Sequence, residues 1–384
     1  MKQMFSYSHD GFVLLLIELG VQLTKPARNL LAWLMVALLE KTKAHLFTLA
    51  DRLPDDETTD RARQQRIRRF LSNPRITPQL FISALVGLAQ PLLKDSAVIE
   101  LVIDRTEWIK RQTPVNVLSV AISYKGRALP MFWVVYNRRG VSRMTDWQAV
   151  LSPVIEALRA SCWAQNKTLH LLADREFASP KLSQWLWETY RVGSTLRLKK
   201  SEYLQTVEES VPVKHYFSQL APGQCRFLRR HRVTRSCQFH LNIALWWGKG
   251  YDGPWALMTT NRNLLVTISA YSRRFGIEPM YKDWKTNAFD IEGTKVTQAK
   301  RISTLLIPIA LCYVICVLEG DRQEATGEVT KAHKEKRTKG LFLVGLCAFC
   351  RKLRSLKLNR LLTFFNQLFS GWFWPEKLAQ ILQI

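Results

Sequence analysis

The sequence predicts an α/β fold, a mixed five-stranded sheet flanked by helices, with a β-rich insertion and helical regions at both ends. Three observations predict it. Apolar, β-rich runs begin near residue 97 and alternate with amphipathic helix patterns. The chain before residue 95 keeps helical periodicity throughout, and a basic, aromatic, β-like stretch over 200–262 interrupts the order before helical sequence resumes.

In chain order, RNLLAWLMVALLEKTKAHLF carries helix-period apolar positions, the carboxylate-rich LPDDETTD reads as a turn, and DRARQQRIRRFLSN is an arginine-dense helix closed by Asn73 and Pro74. Strands follow: AVIELVID ends in Asp104, and VNVLSVAIS and ALPMFWVVY flank a Lys125-Gly126 turn. The amphipathic helix DWQAVLSPVIEALRAS precedes TLHLLAD, a buried strand ending in Asp174. Ser179 and Pro180 open the helix SPKLSQWLWETY, and VGSTLRL is the fifth strand. Three strands, helix, strand, helix, strand is the order of a ribonuclease H-like core. The expected units are a helical N-terminal region (1–95), the first part of the core (96–199), the β-rich insertion (200–262), the second part of the core (263–320) and a basic helical C-terminal region (321–384) with KAHKEKRTKG as an exposed link.

A formal charge of +25, from 56 Lys and Arg against 31 Asp and Glu, calls for a polyanionic partner, and DNA is the expected one. Ile67, Phe70 and Leu71 give the arginine-rich helix an apolar side. Arg61, Arg63, Arg66, Arg68 and Arg69 are therefore expected to face outward and grip phosphates. No membrane partner is expected, because the longest run of apolar residues, Leu305 to Leu318, contains Pro308 and falls short of the roughly 18 to 20 residues a span needs. Seven cysteines and the absence of a signal-peptide pattern fit a reducing cytoplasm. The pairs Cys312 with Cys316 and Cys347 with Cys350 offer four thiolates to zinc in principle. Both lie in apolar helical sequence, where cysteine packs as a small hydrophobe.

Two aspartates placed at the ends of apolar, neighbouring strands are costly to bury unless a cation compensates them. Asp104 and Asp174 thus suggest hard divalent cations and the two-metal arrangement of phosphoryl transfer. A third ligand is expected from AYSRRFGIEPMYKDWKTN. There Tyr271, Arg274, Glu278 and Lys285 follow the spacing Y-x2-R-x3-E-x6-K, which puts all four on one face of a continuous helix. Glu107, Glu176, Asp283 and Glu292 are the alternative acids. Gly276 and Pro279 argue for a bend, which would displace Lys285.

These segments resemble the bacterial insertion-sequence transposases of the DDE class that carry the Tyr-Arg-Glu-Lys signature. The resemblance rests on RQQRIRRFLSN, VIDRTEW, LLADREF, STLRLK, PWALMTTN and the box itself, and it covers most of the chain. It implies a nucleoid-associated enzyme that uses two Mg²⁺ ions, with Mn²⁺ as a substitute. Such an enzyme nicks the terminal inverted repeats of an element, forms and opens a hairpin, joins the ends to target DNA, and works as a homodimer on double-stranded DNA. It further implies Asp104, Asp174 and Glu278 as catalytic, metal-binding residues, Tyr271, Arg274 and Lys285 as DNA-end contacts, and Trp255 as the stacking partner of a flipped base, with Trp246 and Trp247 as rivals. The competing readings are a ribonuclease H-like nuclease or resolvase and a domesticated transposase that binds DNA without cutting it. The β-insertion and the box argue against the first, and the intact triad argues against the second.

Overall fold

The computed structural model describes residues 2–54, 58–205, 209–234, 236–327 and 340–355. Residues 55–57 of the acidic turn, 331–339 of the basic link and the region beyond 355 lie outside the described residues. Five helices open the chain: α1 (Lys2–Glu18), α2 (Lys25–Lys41), α3 (Leu46–Ala50), α4 (Asp60–Ser72) and α5 (Ile82–Leu93). Thr59 caps α4, its hydroxyl accepting the Ala62 N–H, and Ile67, Phe70 and Leu71 are the residues that helix buries.

The strand region is β1 (Val98–Lys110), β2 (Thr113–Tyr124), β3 (Arg127–Tyr136), α6 (Met144–Ala160), β4 (Thr168–Ala173), α7 (Pro180–Tyr190) and β5 (Gly193–Arg197). β1 pairs antiparallel with β2, and β2 with β3. β1 also pairs parallel with β4, and β4 with β5. Lys125 and Gly126 both take positive φ, the requirement of the tight turn whose twist matches the flanking strands.

The sheet does not stop at five strands. Beyond β6 (Tyr203–Gln205), β7 (Ser210–Pro212), α8 (Val213–Phe217), β8 (Cys225–Val233) and β9 (His240–Trp246), β10 (Trp255–Thr259) returns to pair antiparallel with β5. The result is one ten-stranded mixed sheet in the order β3-β2-β1-β4-β5-β10-β9-β8-β6-β7. The stretch expected as an inserted subdomain therefore extends the same hydrogen-bonded sheet. Pairing with β10 gives β5, which would otherwise be an exposed edge, a second partner.

After β10 come α9 (Leu264–Arg273), a 3-10 turn (Arg274–Gly276), α10 (Ile277–Lys282) and a π-helical turn (Asp283–Asn287). Next are α11 (Ala299–Thr326) and α12 (Leu341–Ser355). α5, α6, α10 and α11 all pack on β3. Among the described residues α11 alone is long and apolar enough to cross a bilayer, but 94% of that apolar window is buried inside the fold. It is thus a core helix, longer at both ends than the apolar run Leu305 to Leu318. It crosses α12 closely: a Cβ on Gly345 would lie 1.7 Å from the Cys316 carbonyl oxygen, and one on Gly320 would lie 2.0 Å from that of Leu341.

Candidate active site

Asp104 is not the last residue of its strand. β1 runs on through it to Lys110, because the antiparallel ladder with β2 continues. What ends there is the parallel ladder with β4, whose final pair is Ile103 with Ala173. Asp104 and Asp174 therefore follow adjacent paired residues at the point where two neighbouring strands part. Such a divergence leaves room for side chains to meet a third element.

That element is the segment from α9 to α10. The Arg274 guanidinium donates from Nη1 to Asp104 Oδ2 at 3.1 Å and from Nη2 to Glu278 Oε1 at 3.0 Å. The Tyr271 hydroxyl donates to Asp174 Oδ1 at 3.2 Å. Arg274 thus ties Asp104 to Glu278, and Tyr271, whose ring centre lies 5.8 Å from the Arg274 guanidinium, holds Asp174 on the same side. Arg274 is 4% exposed, packs against the Phe275 ring, and keeps its buried Nε without a partner. Burial pushes the Asp104 carboxyl up to about 6, although Arg274 and the Arg105 N–H pull it back, and Asp174 and Glu278 add to the rise. Burial also raises the Tyr271 phenol, so it donates rather than accepts at neutral pH.

The helix carrying the box is broken, as Gly276 and Pro279 foretell. An α-helix gives way to a 3-10 turn, a second α-helix and a π turn. Gly276 permits this by lying against β3, since a Cβ there would stand 2.7 Å from the Arg127 carbonyl oxygen. The π turn carries Lys285 off the common face. Its ammonium donates to the Glu107 carbonyl at 3.1 Å, pairs with Glu292 at 2.9 Å and sits over the Trp108 ring. It does not reach the three acids, in contrast to the single face expected from spacing.

The alternative acids are engaged elsewhere. Arg105 bridges Glu107 at 2.8 Å and Glu176 at 3.0 Å, and Asp283 is buried against Arg127 at 2.7 Å. Glu278 is the acid on this segment that joins the Asp104 cluster through Arg274.

Trp255 is 4% exposed. Its ring packs among Trp246, Tyr251, Tyr271 and Phe275, and the Arg197 guanidinium lies 5.4 Å from its centre. It forms part of the wall of a cavity of about 440 Å³ shared with Arg175, Lys200 and Tyr251. Tyr251, 47% exposed, offers that cavity its most open aromatic face. Among the helix α4 arginines, Arg61 and Arg69 are exposed, Arg66 and Arg68 are half-buried, and Arg63, also half-buried, pairs with Asp60. α4 packs on α2, α3 and α11.

Sequence reasoning missed Tyr281. Its hydroxyl donates to the Asp104 carbonyl at 2.8 Å and meets Ser119 Oγ at 2.7 Å, which fixes the backbone under the carboxylate. The available signal was its step of seven residues from Arg274, two helical turns along one face.

Among the described residues no three His, Cys, Asp or Glu side chains stand together closely enough to hold a metal ion. Between Asp104 and Glu278 the cation now present is Arg274. The donor set still suits Mg²⁺: hard carboxylate oxygens, one of them penalised by burial, are what such an ion relieves. The cysteine pairs pack in α11 and α12, where Cys312 and Cys350 point at the Met35 and Leu39 carbonyls. No family model matches the chain, and no curated protein matches it.

Proposed function

We propose that the chain is a DDE-type cut-and-paste DNA transposase, with β1 to β5 as a ribonuclease H-like core. The observation that carries the reading is the Arg274 bridge between Asp104 and Glu278, with Asp174 held next to it by Tyr271, where two parallel strands part. The strand order β3-β2-β1-β4-β5 and the charge of +25 support it.

In this reading Asp104, Asp174 and Glu278 would hold two Mg²⁺ ions, which would supply the positive charge that the attacking and leaving oxygens of a phosphodiester need. Arg274 serves the free enzyme as a counter-ion for Asp104 and Glu278. On the DNA complex its fork turns to a phosphate, a geometry guanidinium matches as well as carboxylate. Tyr271 orients Asp174, and Tyr281 holds Asp104 from behind. Hydrolysis at the element's end leaves a 3′-hydroxyl. That hydroxyl attacks a phosphodiester of the opposite strand, closing a hairpin as the flanking strand leaves with a 3′-hydroxyl; water then opens the hairpin and regenerates the 3′-hydroxyl that is joined to target DNA.

The arginine bridge also supports a second reading, a DNA-binding protein that no longer cuts, in which Arg274 stays where a cation would sit. Cleavage assays separate the two. With Mg²⁺ and a duplex from the DNA that adjoins the coding region, Asp104→Ala, Asp174→Ala and Glu278→Ala are each expected to bind at matched salt and not to cut. Binding without cutting by the unaltered chain would favour the second reading.

A further inference from the structure

A second basic surface lies away from the acids. It is a groove of about 770 Å³ walled by Trp187 of α7, Phe227 and Arg229 to Arg230 of β8, Phe239, and Arg262 after β10. It shares no lining residue with the cavity beside Trp255. From Phe227 it runs toward the end of the sheet where β4 and β5 begin, whereas Asp104 and Asp174 lie where the β1 to β4 ladder stops. Among the described residues no acidic side chain lines it and no carboxylate is paired with Arg229, Arg230 or Arg262.

The groove has a built frame. The β8–β9 ladder breaks between Leu228 and His231, and Arg230 takes a positive φ of 56°, a conformation that costs a non-glycine residue energy. Asn242 compensates it: its Oδ1 accepts the Arg230 N–H at 3.1 Å, and its Nδ2 donates to the Asn261 carbonyl at 2.7 Å. One side chain thus holds the bulge that presents Arg230 and the loop that presents Arg262 on either side of the groove. Beneath, a buried chain from His170 Nε2 to Thr195 Oγ1 to Thr259 Oγ1, each step 2.8 Å, fixes the floor. Burial lowers the His170 imidazole to about 4, so this floor adds no charge.

Three guanidinium groups with no carboxylate partner among the described residues suit phosphates, but a duplex backbone makes no use of aromatic faces. Trp187 is 41% exposed, and Phe227 and Phe239 are half-buried beside it. Aromatic platforms along a cationic groove are the recognition pattern for unpaired bases. We propose that this groove binds single-stranded DNA, with bases stacked on Trp187 and Phe239 and phosphates on Arg229, Arg230 and Arg262. The inference does not depend on the carboxylate cluster. Strand binding is therefore expected to persist in Asp174→Ala even if that cluster does no chemistry.

The test is fluorescence anisotropy on the full chain in EDTA, with labelled oligothymidine and, in parallel, a duplex of equal length. Trp187→Ala should raise the oligothymidine Kd by roughly 5-fold to 150-fold, the range of one lost base stack. The duplex Kd should change by less than about twofold. An unchanged thermal midpoint shows that the variant folds. Arg230→Gly keeps the positive φ without strain, and Arg262→Ala lies on an exposed loop. Each should flatten the salt dependence of log K for the oligonucleotide by about 0.7. Equal losses on duplex and single strand would overturn the proposal, as would an unaltered oligothymidine Kd in Trp187→Ala. Tighter binding of oligouridine than of oligothymidine would overturn the assignment to DNA.

Discussion

Asp104→Asn is expected to stabilise the free protein while abolishing cleavage. The folded protein holds the Asp104 carboxyl at about 6 against an ordinary value of 3.8, because burial outweighs the pull of Arg274. A raised acid pKa means that the folded state binds the proton more tightly than the unfolded chain does. The contribution of Asp104 to stability is therefore greatest below about pH 4 and falls as pH rises through 6. At about 1.4 kcal/mol per pKa unit, a rise of some two units makes the ionised carboxylate cost about 3 kcal/mol at pH 7.5. Asn has a similar shape, can accept the Arg105 N–H that Oδ1 now takes at 2.7 Å, and carries no charge, so it escapes this cost. Its amide nitrogen cannot accept from Arg274 as Oδ2 does, which makes the gain an upper bound. With 384 residues and an unfolding entropy of about 2.1 cal/mol/K per residue, 3 kcal/mol corresponds to about 4 °C. The assay is thermal unfolding of both proteins in EDTA from pH 4 to 8. The variant should gain up to about 4 °C at pH 7.5 and nothing at pH 4. A gain that does not vary with pH, or a loss at pH 7.5, would refute the claim that burial of charge at Asp104 is what the cation relieves.

Tyr281→Phe removes the hydrogen bonds to the Asp104 carbonyl and Ser119, which should cost about 1–3 kcal/mol of stability and slow cleavage with end binding unchanged. Weakened end binding with normal cleavage would contradict that positioning role. Gly345→Ala puts a methyl group into the Cys316 carbonyl where α12 crosses α11. It should lower stability by about 1–3 kcal/mol or more, read by thermal unfolding, and a neutral result would mean the two helices are not in this contact. Replacing Arg66, Arg68 and Arg69 together by Gln should reduce the slope of log K against log salt on duplex DNA by up to about 2.7, and an unchanged slope would remove α4 from the interface.

The parts of the fold legible in the sequence are those governed by local pattern. Alternation and apolar runs mark β1 to β5, the Lys125-Gly126 turn needs only its own backbone angles, and the bend at Gly276 and Pro279 follows from proline's missing N–H. What was not legible depends on distant partners. Nothing local in PWALMTTN says that β10 pairs with β5 and so turns the expected insertion into a continuation of the sheet. Spacing placed Lys285 on the face of Glu278, but the π turn at Asp283–Asn287 changes the pitch and sends it to Glu107 and Glu292. Trp255 was legible as an aromatic before the box, whereas its enclosure by Trp246, Tyr251, Tyr271 and Phe275 is a tertiary fact. The same holds for Arg105, whose hold on Glu107 and Glu176 sets both apart from the Asp104 cluster.

The most direct test of the central claim is the product of a pre-nicked duplex carrying the DNA next to the coding region, resolved on a denaturing gel after incubation with Mg²⁺. The account predicts a hairpin from the unaltered chain, and none from Asp104→Asn, Asp174→Asn or Glu278→Gln although all three still bind the duplex. A hairpin that persists in any of the three, or one that forms equally in EDTA, would contradict it.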